Sequence, residues 1–354
     1  MKTVWIMILG FLVASCSSVE NTSNVVSDEM KRIAEEKTPN SMLTFMNKEG
    51  VKSFISYMGE KHHYDEDLLI KEFSQITPRQ QVIKKSNNQP EVITPYHKYK
   101  ARFLNESRIK SGVAFLQENK IWLDRAEKEF GVPAEIIVAI AGVETFYGRI
   151  TGNKDVFTSL STLAFDYPRR GKYFQSELEA FLLLAREKNW PISEVKGSYS
   201  GALGVAQFMP SNYRKLAIDF DRDGEIDLWG SSADAIGSIA NYLKHKGWKA
   251  QRPILDSVTL HPSKGSSPEI MLWSNKQRKT FHYPNEWKKI GVNAPSSLPQ
   301  LKSGLIRLRT AENKVSYWLA YNNFFALMSY NPSRRYTMAV IDLSKAIYEG
   351  NEVQ

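Results

Sequence analysis

The sequence predicts a mainly α fold of the α+β kind, with a small β-containing insertion. Three observations carry this. Apolar residues recur at helical spacing from Met42 to about Phe73 and again across residues 96–250. Six prolines (Pro253, Pro262, Pro268, Pro284, Pro295 and Pro299) then punctuate the stretch 252–310, where only short β-like runs remain. Beyond it, residues 315–320 and 336–348 look helical or apolar again and rejoin the body. The expected organisation is a leader at 1–15, a tether at 16–41 and a small helical domain at 42–95. A helical core at 96–251, a small β-containing domain at 252–312 and a return to the core at 313–354 follow.

Composition narrows the class. A chain of 354 residues fits about two domains. Its 42% hydrophobic, 24% charged and 12% aromatic content exclude a disordered or collagen-like chain. The net charge of +9 suits an anionic partner: nucleic acid, a membrane surface or an acidic polymer. One cysteine, Cys16, rules out an intramolecular disulfide and a multi-cysteine zinc site.

Lys2 followed by an apolar run from Val4 to Ala14 has the length of a signal-peptide core and is too short to span a bilayer. Its end, Leu12-Val13-Ala14-Ser15-Cys16, resembles a bacterial lipobox. Cleavage before Cys16 and lipidation of its sulfur are expected. Ser17 after the cysteine, in place of an acid, points by the same resemblance to the outer membrane of a Gram-negative cell. The chain would face the periplasm. Small polar residues from Ser17 to Asn40 then form a tether.

Two short helices are expected around Phe54–Met58 and Leu68–Phe73, one long helix over 109–130, and another over 174–188 ended by Trp190-Pro191. Pro133 starts a further helix in its first turn, where proline is tolerated. Ser232 is placed to cap a helix with the stripe Ile236, Ile239, Ala240 and Leu243. In the insertion, 258–260, 270–273 and 305–309 read as β-like.

Two segments carry candidate chemistry. In the helix after Pro133, Ile137, Ile140, Ala141 and Glu144 share one face. Glu144 is thus an acid on an apolar stripe, where burial disfavours the charged form and suits a general acid. The other reading is a structural acid satisfied by a helix end or an arginine. Glu135, in the first turn, reads as a plain surface carboxylate. The second segment, from Lys196 to Ser211, holds Gly197, Gly201 and Gly204, which let a backbone approach a ligand. Ser198 and Gln207 are polar groups suited to sugar hydroxyls and amides. No G-K-[ST] follows the glycines, so a phosphate-binding loop is excluded.

The run Asp219-Phe220-Asp221-Arg222-Asp223-Gly224-Glu225 matches the start of an EF-hand loop, with Glu225 offering its carbonyl. Position twelve is Gly230 rather than a glutamate. Asp234 is the candidate to close a longer loop. Clustered carboxylates repel unless a cation neutralises them. Structural Ca²⁺ is expected, and no catalytic cofactor; the alternative is a solvated acidic turn.

Three motifs in order, Val143-Glu144-Thr145 with Gly148, Tyr167-Pro168-Arg169-Arg170, and the run from Gly201 to Ser211, resemble the membrane-bound lytic murein transglycosylase B family over about residues 45–350. The resemblance implies a lysozyme-like helical core and cleavage of the β-1,4 bond between N-acetylmuramic acid and N-acetylglucosamine in peptidoglycan glycan strands. It implies one glutamate, at the place of Glu144, acting as acid and then base. The muramyl C6 hydroxyl would attack its own anomeric carbon and leave a 1,6-anhydro end. An enlarged EF-hand-like loop in that family adds weight to Asp234. Ser198 and Gln207 match positions lining the cleavage subsites, and Tyr99, Tyr242, Tyr330, Asn331 and Tyr336 match the cleft wall. Arg169 and Arg170 are candidates for peptide-stem carboxylates, or a solvated basic pair. Asp155 and Asp166 read as loop acids, though either could be a second carboxylate. A hydrolase of the same bond and a non-catalytic wall-binding lipoprotein remain alternatives. Nucleic acid is not expected as a partner, since no helix-turn-helix or zinc-finger spacing occurs.

Overall fold

Side-chain caps and left-handed turns cut the chain into short helices. The structure, a computed structural model, describes residues 45–88, 93–263, 267–275 and 282–352. The leader, Cys16 and the tether lie outside the described residues. After a single 3-10 turn at Phe45–Asn47 come α1 (Glu49–His62) and α2 (Glu66–Ser74). His63, in the left-handed region, ends α1, and the Asp65 side chain opens α2 by accepting from the Leu68 N–H at 3.0 Å. Helices α3 (Gln80–Asn87) and α4 (Tyr96–Lys100) complete the N-terminal part. Phe45, Phe54 and Phe73 meet Phe165 edge-to-face at 5.8–6.3 Å, fixing this part to the body.

The body begins with α5 (Glu106–Glu118) and α6 (Lys120–Phe130). The single helix expected over 109–130 is therefore two. Asn119 leaves helical geometry (φ −109°, ψ 18°), and its side-chain amide donates to the Phe115 carbonyl at 2.9 Å. This local bond competes with helix continuation. Helix α7 (Ala134–Thr145) follows Pro133. It is buried all round from Ile136 to Val143, and α5, α6 and the final helix pack against it. Strand β1 (Lys154–Asp155), α8 (Val156–Asp166) and α9 (Gly171–Lys188) come next, then β2 (Lys196–Gly197), which pairs antiparallel with β1. Helices α10 (Pro210–Leu216) and α11 (Ser232–His245) close this half. The cap of α11 is Ser231, not Ser232: its hydroxyl accepts from the Asp234 N–H at 3.1 Å.

The prolines do mark a separate sheet, with two corrections. Strand β3 (Leu255–Leu260) is followed by α12 (Pro268–Asn275), so the run 270–273 is helical and not a strand. Pro268 begins it, and the Ser267 hydroxyl accepts from Ile270 N at 3.2 Å, a cap that outweighs the β-like composition. Helix α13 (Pro284–Lys289), β4 (Val292–Asn293), β5 (Gly304–Ala311) and β6 (Lys314–Ala320) follow. Residues 315–320 are thus a strand, hydrogen-bonded to both β3 and β5 in the order β4-β3-β6-β5. A boundary at 312 would cut the β5–β6 hairpin. The unit has its own apolar cluster around Trp287, Ile270, Leu305 and Leu319, and the Trp287 indole N–H reaches Ser303 Oγ at 2.9 Å. The chain returns to the body through α14 (Asn322–Met328) and α15 (Arg334–Glu352).

One polar contact between α1 and α9 is sensitive to acid. Burial works against the charge of Glu179, but hydrogen bonds from His62, Lys61 and Tyr57 outweigh it and lower its pKa below the ordinary 4.5. A lowered carboxyl stabilises the fold fully above its unfolded value and loses that contribution as pH falls through the folded one. Melting temperature should therefore drop more steeply below pH 4.5 in the wild type than in Glu179→Gln, as read by thermal melts along a pH series.

Candidate active site

Glu144 is the penultimate residue of α7 and half-buried. The helix end beside it is strained. Phe146 (φ 52°) and Tyr147 (φ 59°) both lie in the left-handed region, which side chains larger than glycine rarely enter. Their N–H groups bond back to Gly142 O at 3.2 Å and Ala141 O at 3.1 Å, ending the helix in the Schellman manner. A two-way contact holds the pair. The Tyr147 hydroxyl donates to the Arg108 carbonyl at 2.8 Å, and the Arg108 guanidinium donates to the Gly142 carbonyl. That guanidinium also stacks 4.8 Å from the Phe146 ring centre. Burial lowers its pKa. Gly142 leaves room for the Tyr147 ring, since a Cβ there would stand 2.7 Å from it.

Thr145 ties this helix end to the glycine-rich loop. Its hydroxyl lies 3.1 Å from the Val205 carbonyl and accepts from Gly148 N at 3.0 Å. In the loop, Gly204 (φ 65°) and Gln207 (φ 48°) reverse the chain so that Leu203 and Phe208 pair. Gly204 is pressed against Leu228, where a Cβ would come within 2.5 Å. Val205 N donates to Leu228 O at 2.7 Å, so the loop is held from both sides. Gln207 gives its side-chain N–H groups to Thr151 O and Gly204 O, both at 2.9 Å, turning Oε1 away from them. The Ser198 hydroxyl accepts from Ala202 N at 3.0 Å and shapes the turn ahead of Gly201.

Four tyrosines gather beside Glu144. Tyr336, on α15, donates to Glu144 Oε1 at 2.6 Å. Tyr330 donates to Ala206 O at 2.5 Å and Tyr242 to Ser329 O at 2.7 Å, with their rings 4.8 Å apart. Burial, then the charge of Glu144, pushes the Tyr336 and Tyr330 phenols well above their ordinary value, so both remain donors. Tyr99 is buried against Phe103 and close enough to Tyr336 to raise it further. Asn331, half-buried, accepts from Ser333 N through its carbonyl at 2.7 Å.

The other nearby acids are used elsewhere. Asp155 caps α8 by accepting from Thr158 N at 2.6 Å, so it is not a free loop acid. Asp166, the last residue of α8, pairs with Lys48. Glu135 is not a plain surface group: it is half-buried, and burial raises its pKa. Among the described residues, Glu144 is the one carboxylate whose charge bears on Tyr242, Tyr330 and Tyr336. Arg169 and Arg170 face a cavity of about 420 Å³ shared with Asn87, Tyr173, Ser200 and Met209. Arg170 lies 4.2 Å from the Tyr173 ring centre.

The acidic loop brings Asp219, Asp221 and Asp223 together, with carboxylate oxygens within 4.8 Å of one another. Asp221 Oδ1 is buried without a hydrogen-bond partner, a state that binding a cation would relieve. Oxygen-only donors of this kind suit a hard cation such as Ca²⁺. Glu225 is exposed, and its N–H donates to Asp223 Oδ1 at 2.8 Å. Asp234 lies beside Asp221, and burial, then that neighbour's charge, raises its pKa. It is buried in the first turn of α11, where its carboxylate accepts from Phe220 N at 2.6 Å and Asp227 N at 2.8 Å. It clasps the loop to the helix.

Sequence reasoning missed Arg108, Thr145 and Tyr147 as the frame of Glu144. Thr145 belongs to the Val143-Glu144-Thr145 motif and Tyr147 directly precedes its Gly148, whereas Arg108 carries no local signal. It also missed Glu177, buried in α9, which accepts from the Ser211 N–H and hydroxyl at 2.9 and 2.8 Å and anchors α10.

A helical body that presents one acid at the end of a buried helix, against a cluster of tyrosines, fits a lysozyme-like glycan-cleaving enzyme. The family described as "Transglycosylase SLT domain" matches residues 46–345, and the chain belongs to it. The membrane-bound lytic murein transglycosylase B of Escherichia coli is 35% identical over 313 residues, covering 86% of this chain and 84% of that protein. The E. coli lytic transglycosylase Slt35 in complex with calcium matches with a TM-score of 0.77 at 34% identity, over 90% of this chain and 99% of that one. SltB3 of Pseudomonas aeruginosa in complex with NAG-NAM-pentapeptide matches at 0.70 and 32%, over 85% and 79%. The protein is a peptidoglycan lytic transglycosylase.

The helix end depends on the empty space at Gly142. Gly142→Ala should cost about 1–3 kcal/mol by overpacking Tyr147. Denaturant unfolding would read that loss, and activity should fall further than stability alone explains.

Proposed function

We propose that Glu144 is the sole acid/base of the reaction and that the substrate supplies the nucleophile. Protonated Glu144 gives its proton to the glycosidic oxygen as the C1–O bond breaks and N-acetylglucosamine leaves. The muramyl N-acetyl oxygen stabilises the cationic C1. The Glu144 carboxylate then takes the C6 hydroxyl proton while O6 bonds to C1, which closes the 1,6-anhydro ring and restores the acid. The observation that carries this is that, among the described residues, Glu144 is the one carboxylate whose charge bears on Tyr242, Tyr330 and Tyr336, whereas glycosidases that use water or an enzyme nucleophile need a second acid. The Tyr336 hydrogen bond would hold the carboxyl in one orientation. Tyr99, Tyr242, Tyr330, Asn331, Ser198 and Gln207 would line the sugar subsites, and Arg169 and Arg170 the approach to the stem.

Two further readings rest on the same family. Asp219, Asp221 and Asp223 would hold Ca²⁺, with the Glu225 carbonyl beside them, and the ion would brace the loop against which Val205 is tied. Anchoring through a lipid on Cys16 in the outer membrane, facing the periplasm, fits the leader and the relative named membrane-bound. Among the described residues no helix is long and apolar enough to cross a membrane.

Mass spectrometry of products from purified peptidoglycan tests the mechanism. The wild type should release fragments lighter by one water and resistant to borohydride, and Glu144→Gln should abolish release while still binding glycan. Reducible ends would overturn intramolecular attack. For the metal, Ca²⁺ at 100 times its Kd should stabilise the fold by about 2.7 kcal/mol. Asp223→Ala should remove that gain in thermal melts.

A further inference from the structure

Arg79, Lys85 and Lys154 converge on a cavity of about 460 Å³ that they share with Gln80, Gln81 and Tyr199. No acid lines it. Among the described residues none of the three cations has an ion-pair partner, and the nearby Asp155 turns to Lys196 instead. Like charges gathered at one cavity repel, and a bound anion removes that cost. The Lys85 ammonium lies 5.8 Å from the centre of the Tyr199 ring, which directs that ring toward the cavity.

The position gives the anion its source. Tyr199 stands between Ser198 and Ser200. Ser200 lines the neighbouring cavity that Arg169 and Arg170 face. Helix α3 also serves both, giving Ser86 and Asn87 to one cavity and Gln80, Gln81 and Lys85 to the other. The Ser198–Ser200 turn and α3 therefore form a ridge with a cationic cavity on each flank. A glycan stripped of its stems keeps only one lactyl carboxylate per N-acetylmuramic acid, fixed at the sugar ring, and has no group that reaches a second cavity. A peptide stem, with its several carboxylates, has such groups.

We propose that the Arg79–Lys85–Lys154 cavity is a carboxylate subsite for the peptide stem of the glycan strand, separate from the Arg169–Arg170 cavity. The proposal rests on the peptidoglycan reading above and assigns it a second point of stem recognition. It predicts preference for stem-bearing over stripped strands.

The test measures binding of muropeptides to the soluble chain in the Glu144→Gln background, by calorimetry at low salt. Three ligands are compared: a stem-bearing tetrasaccharide, the same sugar with its stems removed and its lactyl carboxyls amidated, and the stem-bearing sugar with the carboxyls of its stem amidated. Arg79→Gln/Lys85→Gln/Lys154→Gln should weaken the first by roughly tenfold and leave the other two unchanged. Lys85→Glu alone should weaken the first in the same sense, and salt at about 0.5 M should erase the difference. All three side chains are exposed, so the fold should tolerate their loss. Equal loss for all three ligands, or no loss for the first, overturns the proposal. So does unchanged muropeptide binding together with lost sedimentation on phosphatidylglycerol vesicles, which would make the patch a membrane contact. The readout is affinity, so failure of Glu144 as the acid would appear as residual turnover and would not be confused with failure of the subsite.

Discussion

A carboxylate at the C-terminal end of a helix is opposed by the helix dipole and by the unpaired carbonyls of the last turn. Glu144 stands there, on a helix buried on every face. Much of the surrounding structure answers that constraint. The Arg108 guanidinium caps one terminal carbonyl, the left-handed pair at Phe146 and Tyr147 returns two N–H groups to the same turn, and Thr145 links it to the next loop. Tyr336 supplies a hydroxyl to the carboxyl itself. The strain at Phe146 and Tyr147 is of the kind that persists only where surroundings over-determine it.

From that helix end the connections run outward in a chain. Thr145 meets Val205, Val205 meets Leu228, and Leu228 belongs to the segment that Asp234 clasps through Asp227. A cation between Asp219, Asp221 and Asp223 would act at the far end of the same series. Its role would be to stiffen the wall of the cleft, not to take part in bond breaking.

The residues that announced themselves in sequence were those whose neighbours are local. Glu144 was legible because its helix is a long apolar run, and the acidic loop because its spacing is a ligand pattern. Asp234 carried the right residue type, but its partners are backbone N–H groups that no side-chain pattern reveals. Arg108 reaches the helix of Glu144 across a tertiary contact. Helix α12 and strand β6 were misread for one reason: a short apolar run has no period of its own, so a serine cap decided one and strand partners the other. Asn119 broke a helix whose apolar stripe ran on unbroken.

The β unit leaves and re-enters the body at one point. Leu255, at the start of β3, and Ala320, at the end of β6, are register partners in neighbouring strands. The two chain links to the body therefore lie one strand-spacing apart, while Ile306 and Leu308 of β5 pack into the core of the body itself. Closing a loop across that spacing costs entropy that grows only slowly with the length enclosed. With a separate apolar cluster on its far side, the unit can lengthen or shrink there, while its β5 face on α4 and α15 stays part of the body that bears Glu144.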